Sequence, residues 1–143
     1  MDKKNKFNII FPSLSENESF VRGVVSLFIL PLNPSVSDLS DVKTAVSEAV
    51  TNSIVHGYPD SVGDVNLECY IEGNIVHINV SDCGVGIEDV DNALEPFFTT
   101  KPEQERSGMG FTIMKSFMDK VLVESGKGKG TKIYMQKTIK SDE

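Results

Sequence analysis

A chain of 143 residues, 39% hydrophobic and 24% charged, can bury one sizeable core and is too apolar to stay disordered. Its formal net charge of -7, with the lysines scattered, argues against direct nucleic-acid binding, which depends on Lys and Arg releasing counterions from phosphates. The longest apolar run, VVSLFILPL at 24–32, is too short for a bilayer and is broken by Pro31, and MDKKNKF leads into no signal-sequence core; a cytoplasmic protein with no membrane contact is expected.

Taken in chain order, KFNIIFP at 6–12 reads as a short strand. SENESFVRGVVSLFIL at 15–30 predicts a helix with a serine cap, acidic first residues and apolar spacing at Phe20, Val24, Leu27 and Phe28, ended by Pro31 and Pro34. A second helix is expected from near Ser37 or Asp38 to His56, where Gly57 and Pro59 stop it. Its apolar stripe is Leu39, Val42, Ala45, Val46, Ala49 and Val50. VNLECYIEGNIVHINVSD at 65–82 alternates on both sides of Glu72-Gly73-Asn74 and predicts a hairpin, with Val65, Leu67, Cys69 and Ile71 on one face and Val76, Ile78 and Val80 sharing a face. Cys69 and Cys83 form no CxxC and lie near no histidine partner in sequence, so both are expected as free thiols. Residues 84–109 are rich in glycine, proline and charge, with a short helix expected around Val90 to Leu94. A further helix follows at about Gly110 to Met118, and the strands KVLVES and TKIYMQK flank GKGKG. This order predicts one α+β domain over 1–143, a two-layer sandwich of a mostly antiparallel sheet with helices on one face.

Three stretches concentrate chemistry. In SEAVTNSIVHG, Glu48 and Asn52 are four apart and share one side of their helix, at the border of the apolar stripe. Alone, such a pair reads first as structural, with Asn52 capping a neighbouring loop. Beside a metal-bound anion, Asn52 offers a neutral oxygen to Mg2+ and Glu48 can take a proton from an attacking hydroxyl. In DCGVG at 82–86, the residues suit a plain turn at a strand end, but they also suit purine binding. There Asp82 would accept from an exocyclic amine, and Gly84 and Gly86, lacking Cβ, would let the backbone approach a flat ring. In TTKPEQERSGMGFTI at 99–113, Gly108 and Gly110 stand at a helix start whose free N–H groups favour phosphate. Lys101 and Arg106 could offset charge, and Thr99, Thr100 and Ser107 could donate to it; an ordinary Ser-Gly turn with solubilising cations is the plainer alternative. GKGKGT at 126–131 reads first as a hairpin connection, though Thr131 could reach a base.

An Asn-bearing helix, D-x-G-x-G after a strand, a loop closing on G-x-G at a helix start, and G-T before a strand together resemble the N box and three G boxes of one ATP-binding fold. DNA gyrase, Hsp90, sensor histidine kinases and MutL share this GHKL or Bergerat fold. The segments VSEAVTNSIVHGY, FFTTKPEQERSGMGFTIM and SENESFVR resemble the anti-sigma F factors of spore-forming bacteria, small serine kinases of that superfamily, and the likeness spans nearly the whole chain. The resemblance implies a dimeric, ATP-dependent inhibitor of sporulation sigma factor F that phosphorylates a serine of an anti-anti-sigma protein, with ATP/ADP and Mg2+ as cofactors. It implies Glu48 as general base, Asn52 as magnesium ligand, and Asp82, Gly84 and Gly86 around adenine, backed by Thr131. An ATP lid at about 97–110 would bring Thr99, Thr100, Lys101, Arg106, Ser107, Gly108, Met109 and Gly110 to the phosphates, and Arg22 would contact both protein partners. The alternatives are a stress-response (sigma B type) anti-sigma kinase, a sensor histidine kinase catalytic domain and an ATP-gated binding module without transfer activity.

Overall fold

In the computed structural model, which describes residues 4–87 and 110–140, the chain opens with β1 (Asn5–Pro12), α1 (Glu16–Ile29), a 3-10 turn (Leu30–Leu32) and α2 (Val36–Thr51). A π turn (Asn52–Gly57) leads to β2 (Asp64–Glu72) and β3 (Ile75–Asp82), then α3 (Gly110–Phe117), β4 (Lys120–Ser125) and β5 (Thr131–Thr138). The short helix expected at Val90 to Leu94 lies outside the described residues.

Alternation of apolar and polar residues puts the five strands in one sheet, ordered β1-β2-β3-β5-β4, with every ladder antiparallel. The hairpin β2–β3 turns at Gly73-Asn74, so Glu72 faces Ile75, and the expected inward residues Val65, Leu67, Cys69, Val76, Ile78 and Val80 are buried. They form one core with Ile133 and Met135 of β5 and with the inner faces of the three helices. A two-layer α+β sandwich with the helices on one side results, as expected.

α2 begins at Val36 with Ser35 as its N-cap, one or two residues before the expected start at Ser37 or Asp38. Ser35 has extended φ/ψ, and its Oγ accepts from the Asp38 N–H at 3.0 Å, an N-cap contributing about 1 kcal/mol. Five of the six expected stripe residues, Val42, Ala45, Val46, Ala49 and Val50, are buried, and Leu39 packs on the core from its edge.

α1 differs from expectation in two ways. Ser15 already has helical φ/ψ and makes no side-chain cap; the Glu18 N–H instead bonds the Ser15 carbonyl at 3.2 Å. The inward residues are Val21, Val25 and Ile29, with Phe28 beside them, whereas Phe20 and Leu27 are 55% and 69% exposed. FVRGVVSLFIL carries two overlapping stripes at helical spacing, and packing against α2 and the sheet selects one of them.

Two features outside the hydrophobic core link neighbouring elements. Buried Lys137 of β5 donates from Nζ to the Phe117 carbonyl at the end of α3, at 2.7 Å, and pairs with Asp41 at 3.6 Å and Asp38 at 3.9 Å on α2. On the outer face of the sheet, His77 stacks on Tyr70 with centroids 4.3 Å apart, and its Nδ1 lies 2.6 Å from the Tyr134 hydroxyl. Among the described residues no helix is long and apolar enough to cross a membrane.

Candidate functional site

The last turn of α2 is where the helix widens. From Asn52 to Gly57 the backbone follows a π turn, a form common at functional sites, and its residues face the end of β3. Buried Ser53 donates from Oγ to Asp82 Oδ2 at 2.7 Å, and the Gly57 carbonyl accepts from the Val85 N–H at 2.8 Å. The helix end is thereby pinned to the D-x-G-x-G turn. Asp82 itself is buried, and its second oxygen, Oδ1, accepts from the Gly84 N–H at 2.9 Å. Among the described residues each carboxylate oxygen holds one donor, and such an oxygen can accept a second.

Across the sheet Asp82 faces Thr131, the first residue of β5. Thr131 is buried and shares a 2.8 Å hydrogen bond with Ser125 Oγ, which also donates to the Gly130 carbonyl and accepts from the Ile87 N–H. Tyr58, just past the π turn, donates from its hydroxyl to the Asp64 carbonyl at 2.8 Å and accepts from the Cys83 N–H at 2.9 Å. Burial pushes the Tyr58 hydroxyl above the usual tyrosine range, so it remains a donor at neutral pH. Cys83 is exposed beside this turn, whereas Cys69 is in the core, where burial pushes its thiol up to about 12. Both thiols are free.

The two motif glycines lie against other parts of the chain. A Cβ on Gly84 would overlap the Gly57 carbonyl, and one on Gly86, whose φ is +77°, would overlap the Gly126 carbonyl. Within the protein, the missing side chains make room for the chain's own backbone.

Asp82, Gly84, Gly86, Thr131 and the turn beginning at Asn52 thus converge. Glu48 on α2 and Asn52 at the start of the π turn are both half-buried, with Glu48 one turn before Asn52. Gly110 is the first residue of α3, which packs against α2. Arg22 stands on α1 and donates to Ser47 Oγ of α2 at 3.3 Å. Thr99, Thr100, Lys101, Arg106, Ser107, Gly108 and Met109, with the rest of the expected lid, lie outside the described residues.

Ser53, Tyr58 and Ser125 take part in this site although the sequence reading did not select them. Ser53 had a signal: it stands where the stripe of Val46, Ala49 and Val50 would place its next apolar residue, and a hydroxyl there needs a partner. Tyr58 and Ser125 had none, since their partners come from other elements.

The model of the histidine kinase-like ATPase domain family matches residues 12–137. An anti-sigma F factor of Thermoanaerobacter sp. strain X514 is 50% identical over 142 residues, 99% of each chain. One of Geobacillus kaustophilus is 53% identical over 137 residues, 95% of this chain and 94% of its own. The chain belongs to the anti-sigma F factor family, within the histidine kinase-like ATPases. Membership in an ATPase family implies that this domain binds a nucleotide. The fold also matches a crystal structure of the RsbU and RsbW domains of Rv1364c from Mycobacterium tuberculosis, with a TM-score of 0.67 over 94% of this chain and 32% of that one. At 18% identity this match bears on fold alone.

Proposed function

We propose that this chain is an ATP-dependent anti-sigma factor. It binds and inhibits sigma factor F in its nucleotide-bound state and, as a serine protein kinase, phosphorylates a serine of an anti-anti-sigma protein. One observation carries the reading: the Ser53–Asp82 bond joins the helix end bearing Glu48 and Asn52 to the D-x-G-x-G turn and Thr131. In this reading the free lone pairs of Asp82 accept from the adenine amine, with Thr131 backing the base and Gly84 and Gly86 shaping the turn. Thr99, Thr100, Lys101, Arg106, Ser107, Gly108, Met109 and Gly110 surround the phosphates as the lid, and Arg22 contacts the protein partners. The chain works as one domain over 1–143, as a homodimer in the cytoplasm.

The residues suit magnesium. Among the described residues no three His, Cys, Asp or Glu side chains form a metal cage. Mg2+ needs none, because it keeps waters and phosphate oxygens and takes one or two protein oxygens, here the Asn52 amide. When bound, the ion would offset charge on the phosphate oxygens. Glu48 accepts the proton as the serine oxygen bonds to the γ-phosphorus and the bond to the ADP oxygen breaks.

The test is incubation with labelled ATP, Mg2+ and the candidate anti-anti-sigma protein, followed by mapping of the labelled residue. Label on a serine is expected. Glu48→Ala should keep nucleotide binding and lose about 10²–10⁴ in transfer rate. No label despite ATP binding would leave a nucleotide-gated clamp, and an unchanged rate in Glu48→Ala would remove the base.

A further inference from the structure

Ser125, the last residue of β4, bonds to both turns that frame Asp82. Its Oγ accepts from the Ile87 N–H, just past D-x-G-x-G, at 2.7 Å. On the hairpin side the same oxygen lies 2.8 Å from the Gly130 carbonyl and 2.8 Å from Thr131 Oγ1. A serine hydroxyl has one proton and two lone pairs, which fixes how the three contacts are shared. The Gly130 carbonyl can only accept, so it takes the Ser125 proton. The Ile87 N–H occupies one lone pair, and Thr131 therefore donates its own proton to the other. Thr131 Oγ1 is left with lone pairs alone. Its cross-strand neighbour is the Asp82 carboxylate, an acceptor already holding the Ser53 hydroxyl and the Gly84 N–H. Both residues are buried, so the pair offers acceptors only, and a group placed against it must bring hydrogens.

We infer that Ser125 is a positioning residue for base selection: by holding the Thr131 proton it keeps the Asp82–Thr131 pair selective for an exocyclic amine. The inference rests on the nucleotide site of the proposed function and adds a residue that acts on the base through Thr131. Without the Ser125 hydroxyl, the Thr131 proton can turn to Asp82 and compete with the amine for it. ATP and purine riboside triphosphate, which lacks only the amine, are titrated by calorimetry against the unsubstituted chain, Ser125→Ala and Ser125→Thr. The unsubstituted chain should prefer ATP. Ser125→Ala should reduce that preference by about three- to tenfold, the weight of one hydrogen bond. Ser125→Thr, which keeps the hydroxyl, should restore it. A loosened turn alone would weaken both nucleotides alike, so an unchanged preference in Ser125→Ala overturns the inference even if both affinities fall. ATP binding with no preference in the unsubstituted chain also overturns it and leaves the proposed function standing, whereas no ATP binding at all overturns both. Should Ser125→Ala fail to fold, proton NMR of the unsubstituted protein decides. Nuclear Overhauser contacts from the Thr131 hydroxyl proton to the Ser125 β-protons support the inference. Contacts to Asp82 instead, or a hydroxyl proton in rapid exchange with water, overturn it.

Discussion

A methyl group at position 84 would meet the Gly57 carbonyl, so Gly84→Ala should destabilise the protein even without nucleotide. Overpacking of this kind costs about 1–3 kcal/mol. A glycine retained only for approach to a ligand would instead gain about 0.4–1 kcal/mol on becoming alanine, through a less flexible unfolded chain. Urea unfolding of the nucleotide-free protein separates these outcomes by sign. D-x-G-x-G was legible in the sequence as a strand end with two positions that lack Cβ. Which surface needed the space was not legible, because Gly57 and Gly126 come from other parts of the chain. The same holds for Asp82: its carboxylate could be picked out, but its bond to Ser53 depends on the π turn, which no residue pattern in NSIVHG announced.

At the level of elements, Lys137 ties β5 to the end of α3 and to the first turns of α2. Lys137→Met should leave the Phe117 carbonyl without this donor and Asp38 and Asp41 without their cation, at about 1–3 kcal/mol in a urea titration. α3 begins at Gly110, the last of the expected phosphate-binding residues, so a loosened α3 should weaken nucleotide binding as well. The strands and α2 were legible because one pattern dominated each: strict alternation in 65–82, and a single stripe in 39–50. α1 was legible as a helix but not in its rotation, since Phe20, Leu27 and Leu30 compete with Val21, Val25 and Ile29 for the inward face. Only the packed layers break that tie.

At the scale of the whole molecule, buried His77 stands on the sheet face away from the helices. Tyr134 donates to Gln136, so its oxygen accepts from Nδ1–H of His77. Nε2 is left 3.1 Å from Glu72 without hydrogen-bond geometry. Burial lowers the His77 pKa, and Lys4, which lies over the Tyr70 ring, lowers it further, against an opposing pull from Glu72. The folded chain therefore resists protonation at His77 more than the unfolded chain does. The stability this contributes is complete above the ordinary histidine value of about 6.5 and is lost as pH falls through the lower folded-state value. His77→Phe, which keeps a ring against Tyr70, should flatten that part of the stability profile between neutral and mildly acid pH, read from urea midpoints. A slope equal to that of the unsubstituted protein would assign it to other groups. The distribution of tyrosines has an optical consequence. The chain has no tryptophan and three tyrosines, so its ultraviolet emission comes from Tyr58 beside the Asp82 turn and from Tyr70 and Tyr134 on the far face. With Tyr70 and Tyr134 each replaced by phenylalanine, the remaining fluorophore would report from the turn alone, with no attached dye.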